Sequence, residues 1–337
     1  MRPFFQGQRT WIRFLHHGLA CASQSVRPVQ TAVTPASGSV TEWFQLQAFH
    51  PKKPLRIDSH QWGISAQLKC LHKWFDSRDR EAIALSTYFR CFQDWPFPYE
   101  LTTTSPNAPD TVNAFTKWLE SQSDTSDRAL ASTLDLLPTQ GKEQTFHQLH
   151  APLRLLIKAL QFNRVQKEAG TGLTIELYIA QSLLEDLPQP LKDDVPVPQV
   201  VKCSGRGDVY SSSIWMGTEP TYTPLHRDPN PNLFFQLHGT KVVRLMPPAQ
   251  GQRLYMEVQH KLGRTGNSRI RTTDMMEGSE RNLMHEAVWS KDSQHPETQE
   301  AELHAGQALF IPEGFWHSVR SKGSEGGLNA SVNWWFR

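Results

Sequence analysis

His226 and Asp228 stand two residues apart in the run Thr223-Pro-Leu-His226-Arg-Asp228. On an extended strand, residues i and i+2 point to the same face, so an imidazole and a carboxylate at this spacing can reach one metal ion. The pair is weak evidence by itself, because a chain of 337 residues with 14 histidines carries roughly one such pair by chance. A third ligand is offered by His317, which closes the segment Gly306-Gln-Ala-Leu-Phe-Ile-Pro-Glu-Gly-Phe-Trp-His317. That segment reads as a turn, a buried strand, a Pro/Gly turn and a histidine returned on the next strand. A histidine among aromatics is ordinarily a core residue, and the ordered combination with the upstream pair is what makes it a candidate ligand. Two histidines and one carboxylate occupy one face of an octahedron and leave three positions open, the arrangement of a non-haem Fe(II) oxygenase. A closed zinc site would need a fourth protein ligand. The four cysteines, Cys21, Cys70, Cys91 and Cys203, form no CxxC pair and no disulfide framework.

The open positions define a second requirement. If 2-oxoglutarate chelates the metal through its keto oxygen and adjacent carboxylate, one position is left for dioxygen. The far carboxylate then needs a buried cation and hydroxyl donors, because an unpaired buried charge is costly. Lys241 opens the run Lys-Val-Val-Arg-Leu-Met fifteen residues after His226, and Thr223 precedes His226 by three. A lysine point charge beside a hydroxyl suits such a carboxylate. The local pattern His238-Gly239-Thr240 reads as the tip of a hairpin leading into Lys241.

These residues must be positioned by strands. After Gly172 the sequence breaks into short apolar runs separated by Pro and Gly, the clearest being 233–237, 241–246, 308–311 and 328–336. Helical patterns precede them over 62–93 and 144–168, where Leu149, Leu153, Leu156 and Leu160 recur at helical spacing. Between these, 102–141 is polar and rich in Pro, Ser and Thr, predicting a surface connection with a short helix near 114–119. Residues 250–300 are again polar and predict an insertion between strands. Helices first and strands afterwards give an α+β fold around a β-barrel or sandwich. Hydrophobic content of 38%, with 17 Phe and 11 Trp, is enough to build a core and line a cavity. No run reaches the roughly 18 apolar residues of a membrane span.

The formal charge of +2 is unevenly spread. Arg2, Arg9, Arg13 and Arg27 precede the first acid, Glu42, so the 35 basic residues fall to 31 against 33 acids once these four are subtracted. The body is slightly acidic and has no global field for RNA or anionic membrane. Arg2, Arg9 and Arg13 share one side of a helical wheel opposite Phe4, Trp11, Phe14 and Leu15, and Ser/Thr/Ala/Pro-rich sequence follows. Residues 1–40 therefore read as a leader for the mitochondrial matrix, the alternative being a cytoplasmic or nuclear protein.

Several runs occur in order: Thr223-Pro-Leu-His226-Arg-Asp228, Asn232-Leu-Phe-Phe-Gln236, Gly239-Thr-Lys241, Leu245-Met-Pro-Pro, Ile311-Pro to Trp316-His317, and Ser331-Val-Asn333-Trp-Trp335. In this combination the chain from about Leu177 onward resembles the JmjC/cupin-like Fe(II)/2-oxoglutarate oxygenases, closest in pattern to the asparaginyl hydroxylases that act on hypoxia-inducible factor. The resemblance implies a double-stranded β-helix (cupin or jelly-roll) core over about 172–337 with an N-terminal helical flank, together forming one domain over 41–337. It implies Fe(II), 2-oxoglutarate and O2 as cofactor and co-substrates, with His226, Asp228 and His317 on the metal. Lys241, Thr223 and Tyr178 would hold the far carboxylate, Asn232 and Asn333 would lie near the metal-proximal carboxylate, and Trp335 would form a cavity wall.

The implied reaction is hydroxylation of a macromolecule, protein rather than RNA, with demethylation or RNA-base hydroxylation on the same core as alternatives. A catalytically silent binding cupin would have lost a metal ligand or Lys241, and neither is lost. Gly327, ten residues after His317, disfavours the oxygenase branch that uses an arginine there. The sequence stops at Arg337 without the C-terminal helices that build a dimer interface in the resembling branch, so dimerisation by that route is not expected.

Overall fold

Strands whose residues are buried on both faces must be covered on both faces, and two strands here meet that condition almost throughout. In β8 (Asn232–His238) only His238 is less than fully buried, and in β13 (Leu328–Phe336) every residue is buried. The computed structural model describes residues 26–337 apart from 34–37, 60, 77–82, 104–107, 138–145, 265–275, 291–294 and 324. The remaining strands are β1 (Arg27–Pro28), β2 (Leu55–Asp58), β3 (Pro96–Thr102), β4 (Phe146–Pro152), β5 (Glu176–Leu183), β6 (Val209–Thr218), β7 (Tyr222–Arg227), β9 (Thr240–Met246), β10 (Gln299–His304), β11 (Gln307–Ile311) and β12 (Trp316–Ser321).

They form a five-stranded sheet in the order β1-β10-β9-β12-β7 and an eight-stranded sheet in the order β2-β11-β8-β13-β6-β5-β3-β4. From β6 onward the chain passes repeatedly from one sheet to the other, which is the winding of a double-stranded β-helix. β8 and β9 therefore do not form the hairpin that the sequence around His238-Gly239-Thr240 predicts. Gly239, at φ +72°, turns the chain out of the large sheet and into the small one, a left-handed conformation that glycine adopts without steric cost.

Three apolar clusters give the layers. Phe234, Val243, Leu245, Leu303, Leu309, Ile311 and Val319 fill the space between the two sheets. Leu233, Phe235, Phe310, Val332, Trp334 and Phe336 point to the outer face of the large sheet and pack against Phe44, Leu55, Trp74 and other residues of the N-terminal flank. The period-two alternation along β8 and β13 thus divides each strand between the barrel interior and the flank.

The outer face of the small sheet, with Leu225, Val242, Met246 and Trp316, is covered by Leu254, Tyr255, Val258, Met284, Val288 and Trp289. These belong to the helices Pro248–Lys261 and Gly278–Trp289. The described residues of 250–300 are therefore an insertion between β9 and β10, as expected, but one that carries apolar anchors and covers the small sheet. Its helices are read poorly from composition because only one stripe of each is apolar.

The approach of the first helix has a measurable consequence. A Cβ placed on Gly251 would lie 2.2 Å from Trp316 Cγ. Ala ordinarily favours a helix by about 1 kcal/mol over Gly, but overpacking here costs roughly 1–3 kcal/mol. Gly251→Ala is expected to lower stability in urea titration and to shift Trp316, and with it the neighbouring His317. Unchanged or increased stability would show that the helix can yield at no cost.

Other expectations are corrected by packing. Residues 102–141 hold two helices, Ala108–Glu120 and Thr125–Asp135, not one short helix near 114–119. Val112, Phe115 and Leu119 on the first and Leu130, Ala131 and Leu134 on the second supply the buried stripes, and Asp124 caps the second by accepting from the Ser126 amide at 2.8 Å. The helix expected over 144–168 begins only at Arg154, after β4. Among the described residues of 62–93 the helices are single turns, 64–67, 70–73 and 87–90. Strands also precede Gly172, since β2, β3 and β4 extend the large sheet.

Part of the segment read as a leader belongs to the fold. β1 pairs with β10, Thr31 bridges Arg56, and Val29 and Ala32 are buried. Residues 1–25, which carry the other basic residues of the proposed address, lie outside the described residues. No helix among the described residues is long and apolar enough to cross a membrane.

Candidate metal centre and co-substrate pocket

β7 and β12 are neighbours in the small sheet, and their register sets His226 opposite His317. The two imidazole rings lie 4.2 Å apart between centroids. Asp228 follows β7 directly. Its carboxylate oxygens lie 4.0 Å from His226 Nε2 and 3.6 Å from His317 Nε2, and one ligand atom from each of the three residues falls within 4.8 Å of the others. Ligand atoms each about 2 Å from one ion stand at most about 4 Å apart, so small side-chain rotations suffice to share an ion.

The ring nitrogens are already sorted. His226 Nδ1 lies 2.8 Å from the Pro224 carbonyl and His317 Nδ1 lies 3.2 Å from the Phe315 carbonyl. A carbonyl only accepts, so each ring donates from Nδ1 and turns Nε2, the nitrogen a metal would take, toward Asp228.

Asp228 is held by two further donors. Trp335 Nε1 donates to its Oδ2 at 2.7 Å and Asn232 Nδ2 donates to the same oxygen at 3.0 Å. Asn333 Nδ2 in turn donates to Asn232 Oδ1 at 2.9 Å. Burial alone pushes the Asp228 carboxyl up, but the two imidazoles and the two donated hydrogen bonds outweigh it and hold the group below the ordinary carboxylate range. Asn232, Asn333 and Trp335, expected beside the co-substrate, are thus linked first to the Asp228 carboxylate.

A break in register explains a spacing that a regular strand forbids. Thr223 and His226 are three apart and would point to opposite faces, yet both line one cavity. His317 pairs with His226 while Val319 pairs with Thr223, so β7 carries one extra residue between them. Pro224 lies in this stretch and has no amide to give to the ladder. The bulge turns Leu225 outward into the cluster behind the small sheet and returns Thr223 to the interior.

The cavity has a volume of about 350 Å³, its open side included, and is lined by all nine residues singled out in the sequence, together with Trp215, Phe234 and Val319. At its far end Lys241, 2% exposed, donates to Tyr178 Oη and to Ser331 Oγ, both at 3.0 Å. The ammonium also lies 5.4 Å from the Tyr178 ring and 5.5 Å from the Phe234 ring. Tyr178 is placed by Gly217, its partner across β5 and β6, where a Cβ would come within 2.6 Å of the Tyr178 ring.

Ser331 is the functional candidate to which the sequence reading assigned no role. Its signal was present, since residues 331, 333 and 335 share one face of a strand. Trp215 had no such signal, because its entry into the cavity depends on the pairing of β6 with β13.

A buried ammonium with phenol and alcohol hydroxyls at one end, and two imidazoles with a carboxylate at the other, form a donor set that fits a metal-chelating dicarboxylate. The description "Cupin-like domain" matches residues 91–337, which takes in β3 and β4 as well as the barrel expected from about 172. Lysine-specific demethylase 8 of Danio rerio is 31% identical over 172 residues, 50% of this chain and 37% of that protein. Lysine-specific demethylase JMJ30 of Arabidopsis thaliana is 24% identical over 335 residues, 96% of this chain and 70% of that protein. JmjC domain-containing protein F of Dictyostelium discoideum is 31% identical over 176 residues, 47% of this chain and 35% of that protein. The chain thus spans little more than a third of the fish and slime-mould relatives and 70% of the plant one. With the barrel, the His-Asp-His cluster and this match over most of its length, the chain belongs to the cupin-like JmjC family, whose members use Fe(II), 2-oxoglutarate and O2.

Proposed function

We propose that this chain is an Fe(II)- and 2-oxoglutarate-dependent oxygenase that hydroxylates a side chain of a protein substrate and releases succinate and CO2. The observation that supports it is the presence, in one cavity, of a three-ligand cluster within 4.8 Å and a buried lysine flanked by hydroxyls. His226, Asp228 and His317 would hold Fe(II), which with 2-oxoglutarate supplies the activation of dioxygen for C–H oxidation. Lys241, Tyr178, Ser331 and Thr223 would receive the far carboxylate. Trp335 and Asn232 both donate to Oδ2 of Asp228, the oxygen nearer His317, and so fix the carboxylate with Oδ1 toward His226. Trp215, Phe234 and Val319 close the walls and keep water from the reacting centre. Protein is favoured over RNA as substrate because the body beyond residue 41 carries 31 basic against 33 acidic residues.

A second reading is demethylation of an N-methyl lysine, favoured by the names of the fish and plant relatives. The two readings share the first step. Hydroxylation of an N-methyl carbon gives a hemiaminal that breaks down to formaldehyde and the demethylated amine, whereas a hydroxylated side-chain carbon is retained.

The full chain is to be incubated with Fe(II) and 2-oxoglutarate against protein fractions and, separately, RNA fractions. Succinate formation with protein and a gain of one oxygen in a product peptide is the expected result. Formaldehyde with loss of a methyl group selects demethylation. Succinate stimulated only by RNA overturns the protein reading, and none above background in any fraction overturns the activity.

A further inference from the structure

The face of the small sheet turned away from the metal carries a charged groove that the oxygenase reading does not use. We propose that it is a binding site for a phosphoryl group, with Arg281 and Arg320 as its anchors. Tyr222 on β7 and Arg320 on β12 are cross-strand partners and point outward, as does Arg244 on β9. The helix Gly278–Trp289 lies over them and brings Arg281, His285 and Trp289.

Tyr222 is the hub. The Arg281 guanidinium lies 5.0 Å from its ring centroid and the His285 ring lies 5.0 Å from it. Arg320 stacks on Trp289 at 4.1 Å, and Arg244 lies on the same indole at 4.7 Å. The groove beside Tyr222 and Arg320 has a volume of about 980 Å³, its open side included, and is lined by Thr221, Tyr222, His285, Arg320, Ser321 and Lys322 along with Glu300 and Glu302.

Charge pairing leaves a positive remainder. Arg244 is bound to Glu300 at 2.8 Å and Lys322 to Glu302 at 2.7 Å, which accounts for both acids of the groove. Arg320 and Arg281 form no hydrogen bond or ion pair among the described residues, and Arg281 Nε is buried without a partner. Glu176 acts on Arg281 only at longer range, and its own carboxyl is pushed up by burial. At the groove floor Thr221 is 5% exposed and its Oγ1 also has no partner. Buried donors are rarely left in this state.

The ligand chemistry follows from the donors. Two guanidinium forks held against the Tyr222 and Trp289 rings, with an imidazole and a hydroxyl beside them, offer several N–H and O–H groups around Tyr222. The four cations Arg244, Arg281, Arg320 and Lys322 outnumber the three acids that act on them, Glu176, Glu300 and Glu302. A dianion with tetrahedrally arranged oxygens can accept from both forks at once. The phosphoryl group can belong to a free small molecule or to a phosphorylated side chain of a protein, and the same atoms would hold either.

The test is a titration of the full chain at constant ionic strength with inorganic phosphate, and in parallel with a phosphoserine peptide and its unphosphorylated twin, followed by calorimetry and by 31P NMR. One saturable phosphate site is expected. Arg320→Gln and Arg281→Gln should each weaken it about tenfold to a hundredfold. Thr221→Val, which keeps the side-chain shape, should weaken it by a smaller factor. His226→Ala should leave it unchanged, because the metal centre faces the other side of the sheet. Preference for the phosphopeptide over free phosphate assigns the source to a protein, and equal affinity assigns it to a small molecule. The proposal is overturned by an absence of saturable phosphate binding, by binding that survives both arginine changes, or by binding lost in His226→Ala. Near-UV circular dichroism of each variant checks the fold, and Arg320→Lys, which keeps the charge but loses the fork, should retain part of the affinity even if Arg320→Gln unfolds.

Discussion

Asp228→Ala protein offered one equivalent of Fe(II) without oxygen is expected to retain none of it after gel filtration, and to form succinate at background rate. The native chain should retain one. Asp228 supplies the only carboxylate of the cluster, and without it two neutral imidazoles remain to hold a hard divalent ion. The change also strips the acceptor from Trp335 Nε1 and Asn232 Nδ2, so a loss of roughly 1–3 kcal/mol in stability should accompany it. His226→Ala separates the two effects, since it removes a ligand while leaving those donors satisfied. Trp335→Phe is the milder probe: it removes one hydrogen bond to the ligand and should weaken Fe(II) binding by roughly tenfold to a hundredfold. Stoichiometric Fe(II) retention by Asp228→Ala would end the assignment of the centre.

Lys241→Ala is expected to keep its Fe(II) and lose its hold on 2-oxoglutarate. The ammonium is the charge that faces the far end of the cavity, 3.0 Å from both Tyr178 Oη and Ser331 Oγ. A charge-assisted contact of about 2–3 kcal/mol corresponds to a rise in the 2-oxoglutarate Kd of about thirtyfold to a hundred-and-fifty-fold. Lys241→Met, which fills more of the space between Tyr178 and Phe234, should show the same loss and so distinguish charge from packing. Direct binding of 2-oxoglutarate to the Fe(II)-loaded protein is the readout, so the outcome does not depend on finding the substrate. Unchanged affinity in both variants would show that the lysine serves the fold and not the co-substrate.

The sequence was most legible where chemistry and strand alternation coincide. His226 and Asp228 are two apart, and Ser331, Asn333 and Trp335 alternate along β13, so a period of two was enough to place these side chains together. The four strands with continuous apolar runs were visible because both faces are covered, one by the barrel interior and the other by helices. The helices of 102–141 and 250–300 were less legible, since each contributes a single apolar stripe within a polar composition. The address read in the acid-free N-terminus rests mainly on residues 1–25, and the family match, which begins at residue 91, does not bear on it.

Residue types and their order along the chain were sufficient to single out nine residues that line one cavity, and the barrel class, because a metal and a dicarboxylate tolerate few donor sets. Tertiary structure alone decided which sheet each strand joins, and therefore which side of Lys241 faces the cavity, since the turn at Gly239 reads locally as a hairpin. It also decided that Thr223 shares a face with His226, through a bulge at Pro224 that no local periodicity announces. The convergence of Arg281 and Arg320 on the outer face could not be read at all. The two residues are 39 positions apart, one on a helix and one on a strand, and only the packing of that helix across the small sheet brings Arg281 onto Tyr222, the cross-strand partner of Arg320.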